Sequence, residues 1–311
     1  MSTRRNPVPV HIAGAVGKTS TARMLDAILA AETQDIAPTA IILSAGPAAD
    51  GRTWRDVLEH VGSGVAIVSA DDAEIRAAVT SASTVTFGYA QDADVRLDTI
   101  DTALDGTRCD IVVAEQTYTV NVPLIGEHAA ANLCAAVATA LAHGIEVPRA
   151  IRALESLTSV GEWTMMPTRA PNGAVIINDA VSANWASTAA ALKTLAQITP
   201  SSSRSIAVLG AIDCEAHTLA DIHDRIGRLV VRLNIGQLLV VGDDARHIHA
   251  AAGLEGSWDG ESKLFEDSVA VYDFLNEDLR SDDIVLVKSA ARVGLGHLAD
   301  RLSSAEPEAL I

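Results

Sequence analysis

A two-part α/β fold is what this sequence predicts, and three observations carry the expectation. An apolar run, Val8 to Ala13, leads into a glycine loop and then into a helical segment. Short apolar runs then alternate with helical segments, the pattern of a parallel, doubly wound sheet. Between Val95 and Val122 the pattern changes to alternating β-rich runs, and the strand–helix alternation restarts after Thr158 to Gly161, the candidate domain boundary. A chain of 311 residues is long enough for two domains of ordinary size, here 1–158 and 159–311.

The glycine loop is the most informative stretch. In Gly14-Ala15-Val16-Gly17-Lys18-Thr19-Ser20, the two glycines let the backbone turn its N–H groups towards an anion. Lys18 is placed to reach the β- and γ-phosphates of a nucleotide, and Thr19 to ligate Mg²⁺. The match is to the short form G-x-x-G-K-[ST], because the full pattern wants another glycine where Ile12 stands. The alternative is an ordinary glycine-containing turn from strand to helix with an exposed lysine.

Composition narrows the class. The chain is 49% hydrophobic but only 3% aromatic, so its interior must be built from Ala, Val, Leu and Ile. With 23 basic and 40 acidic residues its formal charge is −17, and no basic stripe is present, which argues against a nucleic-acid partner. Cys109, Cys134 and Cys214 form no C-x-x-C pair, so neither a disulfide framework nor a zinc site is expected. Met1 to Arg5 is basic, but no leader-type apolar stretch follows, and no run is long enough to span a membrane. A soluble, reduced, cytoplasmic protein is expected.

In chain order, helix is expected over Thr21 to Ala31, and a strand over Thr39 to Leu43 that ends in the turn Ser44-Ala45-Gly46-Pro47. A short helix follows at Trp54 to His60, then a strand at Val65 to Val68, a helix at Ala73 to Ala78 capped by the preceding aspartates, and a strand at Thr84 to Phe87. Arg96 to Ile100, Asp110 to Ala114 and Tyr118 to Val122 read as meander or hairpin strands. An alanine-rich helix spans Glu127 to Ala142, closed by His143-Gly144, and a shorter one runs from Pro148 to Leu157. In the second part, strands are expected at Ala174 to Ile177, Ile206 to Leu209, Leu238 to Val241 and Ile284 to Val287. Helices are expected at Trp185 to Gln197, Leu219 to Leu233, Asp243 to Ala252 and Val269 to Leu279.

Several of these pieces, taken together, resemble one family, the Mur ligases, which are ATP-dependent amide-forming ligases of peptidoglycan precursor synthesis. Within the family the chain is most similar to the branch that adds D-alanyl-D-alanine to a UDP-muramoyl tripeptide. Gly14 to Ser20 is similar to the family's G-[ST]-N-G-K-[ST]-[ST] loop, with Val16 where asparagine is usual. Thr86-Phe87-Gly88 followed by Asp92 to Val95 resembles the run that enters the family's edge strands. Gly126-Glu127-His128, with Asn132 beyond it, resembles G-x-H-N-x-x-N, whose later asparagine faces the adenine. Ile177 to Trp185 is similar to I-N-D-A-Y-N-A-N-P, and Leu209-Gly210 through His223 resembles L-G-x-M-x-E-L-G…H. Ile284 to Lys288 resembles V-V-L-V-K-G-S-R. The resemblance thus implies a P-loop-type central domain followed by a Rossmann-like C-terminal domain, with ATP and Mg²⁺ as cofactors. It implies that Gly14, Gly17, Lys18, Thr19, Ser20, Asn132 and Asp179 bind the nucleotide, and that Asn184, His223 and Lys288 line the substrate cleft. Thr19 would be the metal ligand. Cell-wall precursors or peptidoglycan-synthesis proteins are the partners expected.

The departures from the family pattern matter as much. The loop begins so early that the family's UDP-substrate domain is expected to be absent. The segment between Ser20 and Val65 ends its strand in Ser44 rather than in an acidic metal ligand, and no histidine-plus-lysine pair follows. Glu162 stands where the family pattern has an arginine, Ala211 and Cys214 replace acidic residues, and Arg292 falls one place late. Two functions are therefore expected: a carboxylate–amine ligase with impaired catalysis, or a non-catalytic nucleotide-binding or scaffolding relative. An unrelated P-loop ATPase would need an acidic residue at a strand end near the loop, and the sequence does not place one.

Overall fold

The structure, a computed structural model, describes residues 10–30, 37–44, 53–61, 64–79, 83–214, 217–255, 258 and 260–304. The basic start Met1 to Arg5 and the Ala45-Gly46-Pro47 part of the expected turn lie outside the described residues. The chain divides into two compact units. One runs to Gly161 without Thr102–Leu104, and the other comprises those three residues and Glu162 onward.

Unit 1 holds a seven-stranded sheet in the order β1 to β7. Its strands are β1 (Val10–Ala13), β2 (Thr39–Ile42), β3 (Val65–Ser69), β4 (Thr84–Gly88), β5 (Val95–Ala103), β6 (Gly106–Val113) and β7 (Gln116–Val122). The first five pair in parallel and β6 with β7 antiparallel. The helices are α1 (Lys18–Leu29), α2 (Trp54–Val61), α3 (Ala73–Ala78), α4 (Glu127–Ala142) and α5 (Val147–Glu155). Strand side chains alternate between faces, and this divides the core in two. Ile41 and Ile67 pack with Met24, Leu25 and Ile28 of α1 and with α4 and α5. Ala40, Ile42, Ala66 and Val68 pack with Trp54, Val57 and Val61 of α2 and Ile75 of α3. Helices therefore cover both faces, although the strand order simply follows the chain. The first helix starts three residues earlier than the sequence suggests, because left-handed Gly17 turns the chain directly into Lys18.

In unit 2 the six-stranded sheet has the order β12-β11-β10-β13-β9-β8. The strands are β8 (Met166–Arg169), β9 (Val175–Asn178), β10 (Ser205–Leu209), β11 (Gln237–Val241), β12 (Glu261–Phe265) and β13 (Ile284–Lys288). All pair in parallel except β8, which runs antiparallel to β9. The order reverses between β10 and β13, the Rossmann-like feature expected. Its helices are α6 (Trp185–Ile198), α7 (Leu219–Arg232), α8 (Arg246–Gly253), α9 (Ser268–Asp278) and α10 (Leu295–Ser303). Strands β9, β10, β11 and β13 read as continuous apolar runs because they are buried on both faces. The sequence did not suggest β8, β12 or α10. Both strands are edge strands with mixed polar composition, so neither carries the apolar run that betrays an interior strand. The expected helix from Asp243 begins instead as a 3-10 turn, Asp243–Ala245, before α8.

Candidate nucleotide and substrate site

In unit 1 the glycine loop joins the C-terminal end of β1 to the start of α1. Gly14 and Gly17 take φ values of +143° and +91°, where a β-carbon is disfavoured. The close packing is as restrictive as the backbone: a β-carbon on Gly17 would stand 2.1 Å from Oδ1 of Asn132. Thus α4 brings Asn132 directly against the loop. Asn132 is nearly buried, and its Nδ2 finds no hydrogen-bond partner among the described residues. Such an orphaned donor in a native fold asks for an explanation, and a ligand is one. Lys18 Nζ donates to the Gly14 carbonyl at 2.7 Å, and the Ala15 N–H donates to Ser44 Oγ at 3.1 Å. Thr19 is exposed and Ser20 half-buried on the first turn of α1.

These groups fit the phosphates of a nucleotide: a glycine turn at a helix start, a lysine and an adjacent amide donor. The fit to Mg²⁺ is thinner. Among the described residues no three His, Cys, Asp or Glu side chains converge on one point. The loop offers the Thr19 hydroxyl, and Mg²⁺ in phosphate sites takes its other ligands largely from phosphate and water. An acidic residue does lie just past a strand end, at Asp71 after β3. Its carboxylate is engaged by the N–H groups of Tyr89 and Ala90, each at 2.9 Å, so it fastens β3 to the turn after β4.

In unit 2, Asn178 ends β9 with Asp179 directly after it, and Lys288 ends the neighbouring β13, where it pairs with Leu209 of β10 on the other side. Lys288 Nζ donates to Asp179 Oδ2 at 2.6 Å and to the Ser182 carbonyl at 2.9 Å, and the lysine is 2% exposed. Asp179 Oδ1 also accepts the Met165 N–H at 3.3 Å. Asn184 caps α6: its side chain accepts the Ser187 N–H at 2.9 Å, and Ser187 Oγ accepts the Asn184 N–H at 3.0 Å. His223 is wholly buried in α7, with neither ring nitrogen hydrogen-bonded among the described residues. Burial, together with the nearby His247 and Arg292 charges, pushes its pKa down to about 4, so it sits there as a neutral ring.

Glu162 is exposed, and the next residue shapes the local structure. Trp163 takes a left-handed φ of 52° and donates its indole N–H to Asp300 Oδ2 at 2.9 Å. Asp300 Oδ1 also receives Asn178 Nδ2 at 3.1 Å. A β-carbon on Gly296 would come within 2.4 Å of the indole. Ser44, Met165 and Asp300 thus contact the residues singled out by sequence, yet none stood out as a partner. Ser44 was legible only as the end of a strand, and Asp300 lies on a helix that no sequence pattern suggested.

A glycine-loop sheet followed by a Rossmann-like sheet defines a two-unit α/β protein with a candidate phosphate site. The chain belongs to the Mur ligase family. Residues 54–140 match the Mur ligase middle domain, and residues 164–291 match the Mur ligase glutamate ligase domain. The glycine loop precedes the matched part of the middle domain. A UDP-N-acetylmuramoyl-tripeptide–D-alanyl-D-alanine ligase of Mycobacterium tuberculosis is 32% identical over 259 residues, which cover 77% of this chain and 51% of that protein. The corresponding ligase of Mycobacterium leprae is 37% identical over 190 residues, 57% of this chain and 37% of that one. The chain therefore spans about half the length, or less, of the curated relatives it matches. Among solved structures, MurF from Acinetobacter baumannii superposes with a TM-score of 0.79 at 22% identity, covering 94% of this chain and 76% of the other. MurF from Thermotoga maritima in complex with ADP gives a TM-score of 0.78 at 16% identity, covering 94% and 79%. Among the described residues, no helix is long and apolar enough to cross a membrane.

Proposed function

We propose that this chain binds ATP at the Gly14–Ser20 loop and takes part in ATP-dependent carboxylate–amine ligation on a cytoplasmic peptidoglycan precursor. The observation that carries the reading is the approach of Asn132, with its orphaned buried amide, to left-handed Gly17 beside Lys18. The relatives' names support the substrate class, a UDP-muramoyl tripeptide and D-alanyl-D-alanine. On this reading the loop N–H groups and Lys18 hold the phosphates, Thr19 meets Mg²⁺, and Asn132 orients the nucleotide. ATP supplies the phosphoryl group that activates the substrate carboxylate, and the cationic groups offset charge developing on it. Asp179, Asn184, His223 and Lys288 belong to the substrate-binding half of the proposal. The first, second and fourth act chiefly by shaping the loops after β9 and β13.

A second reading, a nucleotide-binding relative without turnover, is favoured by two features. Lys288 and Asp179 neutralise each other in the interior, and Glu162 stands where the family resemblance calls for a cation. Purified chain with ATP, Mg²⁺, UDP-muramoyl tripeptide and D-alanyl-D-alanine tests both. Phosphate release that requires both acceptor and donor substrates supports the ligase. ATP binding without release supports the second reading, and absence of ATP binding sinks the two together.

A further inference from the structure

We infer that Ser44 is an internal competitor for phosphate at the glycine loop and lowers the affinity of this chain for nucleotides. The inference rests on the reading of the loop as a phosphate cradle. Register brings Ser44 to the site: β2 pairs with β1 from Val10–Thr39 to Ala13–Ile42, and the Leu43 N–H continues the ladder to the Ala13 carbonyl at 2.9 Å. The next residue, Ser44, is thereby laid against Gly14. A β-carbon on Gly14 would lie 2.9 Å from Leu43 Cβ and 3.4 Å from Ser44 Oγ, so only a glycine lets the strand end and the loop touch. Across this contact Ser44 Oγ accepts the Ala15 N–H at 3.1 Å.

Glycine loops hold phosphate oxygens by converging backbone N–H groups. A donor aimed at a hydroxyl is not aimed at a phosphate. Lys18 Nζ, on the Gly14 carbonyl, is engaged in the same manner. Two of the groups that would grip an anion therefore already have partners inside the chain, and binding must exchange those bonds. The lysine can swing away on four methylenes, whereas Ser44 directly follows Leu43, whose N–H is bonded to the Ala13 carbonyl. The Ser44 hydroxyl is thus the more persistent competitor, and its removal takes this bond out of the exchange.

Isothermal titration of the full chain with ATP, with and without Mg²⁺, tests this. Ser44→Ala is expected to bind ATP about three- to tenfold more tightly, the net worth of one neutral hydrogen bond. Ser44→Gly removes the same hydroxyl and should shift affinity the same way, and circular dichroism checks that both variants are folded. Unchanged or weaker binding by both folded variants overturns the inference, the weaker result meaning that the hydroxyl assists the phosphate. If the parent chain and both variants bind no ATP, and Lys18→Ala changes nothing, the reading of the loop fails and takes the inference with it.

Discussion

Lys288 Nζ lies 2.6 Å from a carboxylate oxygen of Asp179, and both side chains are enclosed within unit 2. Residues 109 positions apart are paired because β9 and β13 are parallel neighbours ending at the same level. The carboxylate also receives a backbone N–H, and the ammonium reaches the Ser182 carbonyl, so the charges are compensated by hydrogen bonds on both sides.

Removing one partner strands the other charge in the interior. Lys288→Met and Asp179→Asn are each expected to destabilise the chain by about 3–5 kcal/mol, read as a fall in the urea midpoint. The double variant should lose less than the sum of the two. If the pair served only a ligand, the single variants would unfold as the parent does.

Gly17→Ala should lose nucleotide binding and stability together. A left-handed residue with a β-carbon costs about 1–2 kcal/mol, and the added carbon collides with the Asn132 amide. Adding Asn132→Ala relieves the collision but not the backbone cost. Thermal unfolding should therefore show partial recovery in the double variant.

Acid should weaken unit 2 through His223. An unfolded histidine titrates near 6.5, while in the fold burial lowers the value to about 4. A depressed histidine pKa means that the unfolded chain takes up the proton first. The contribution of the neutral ring is therefore full above about pH 6.5 and falls as pH drops towards 4. Urea unfolding across that window should show a smaller pH dependence in His223→Phe than in the parent.

Asp300→Ala removes the acceptor shared by Trp163 and Asn178. The expected cost is about 1–3 kcal/mol, accompanied by a change in tryptophan emission as the indole loses its partner. Parent-like emission and stability would show that the left-handed Trp163 turn is held by other contacts.

Much of the fold was legible because hydrophobic periodicity reports burial directly. Helix Ala73–Ala78 and its Asp72 cap, and the long helix Glu127–Ala142, fall where the pattern places them. Interior strands such as Ile284–Lys288 announce themselves as unbroken apolar runs. Edge strands Met166–Arg169 and Glu261–Phe265 do not, since none of their residues is fully buried and both mix polar with apolar side chains. At the site, the glycine pattern marked Gly14 to Ser20, and the family resemblance marked Asn132, Asp179, Asn184, His223 and Lys288 as residues to watch. Neither could distinguish a side chain offered to a ligand from one already engaged by the protein.

By itself the sequence determined the two α/β parts, the glycine loop and the family, because these depend on local order and composition along the chain. Only the tertiary structure decided who touches whom: Asn132 against Gly17, Ser44 on Ala15, Asp179 on Lys288, and Asn184 on its own helix. The first three contacts join distant segments through strand register and helix packing. Those depend on how whole elements exclude water together, and no short stretch of sequence records them.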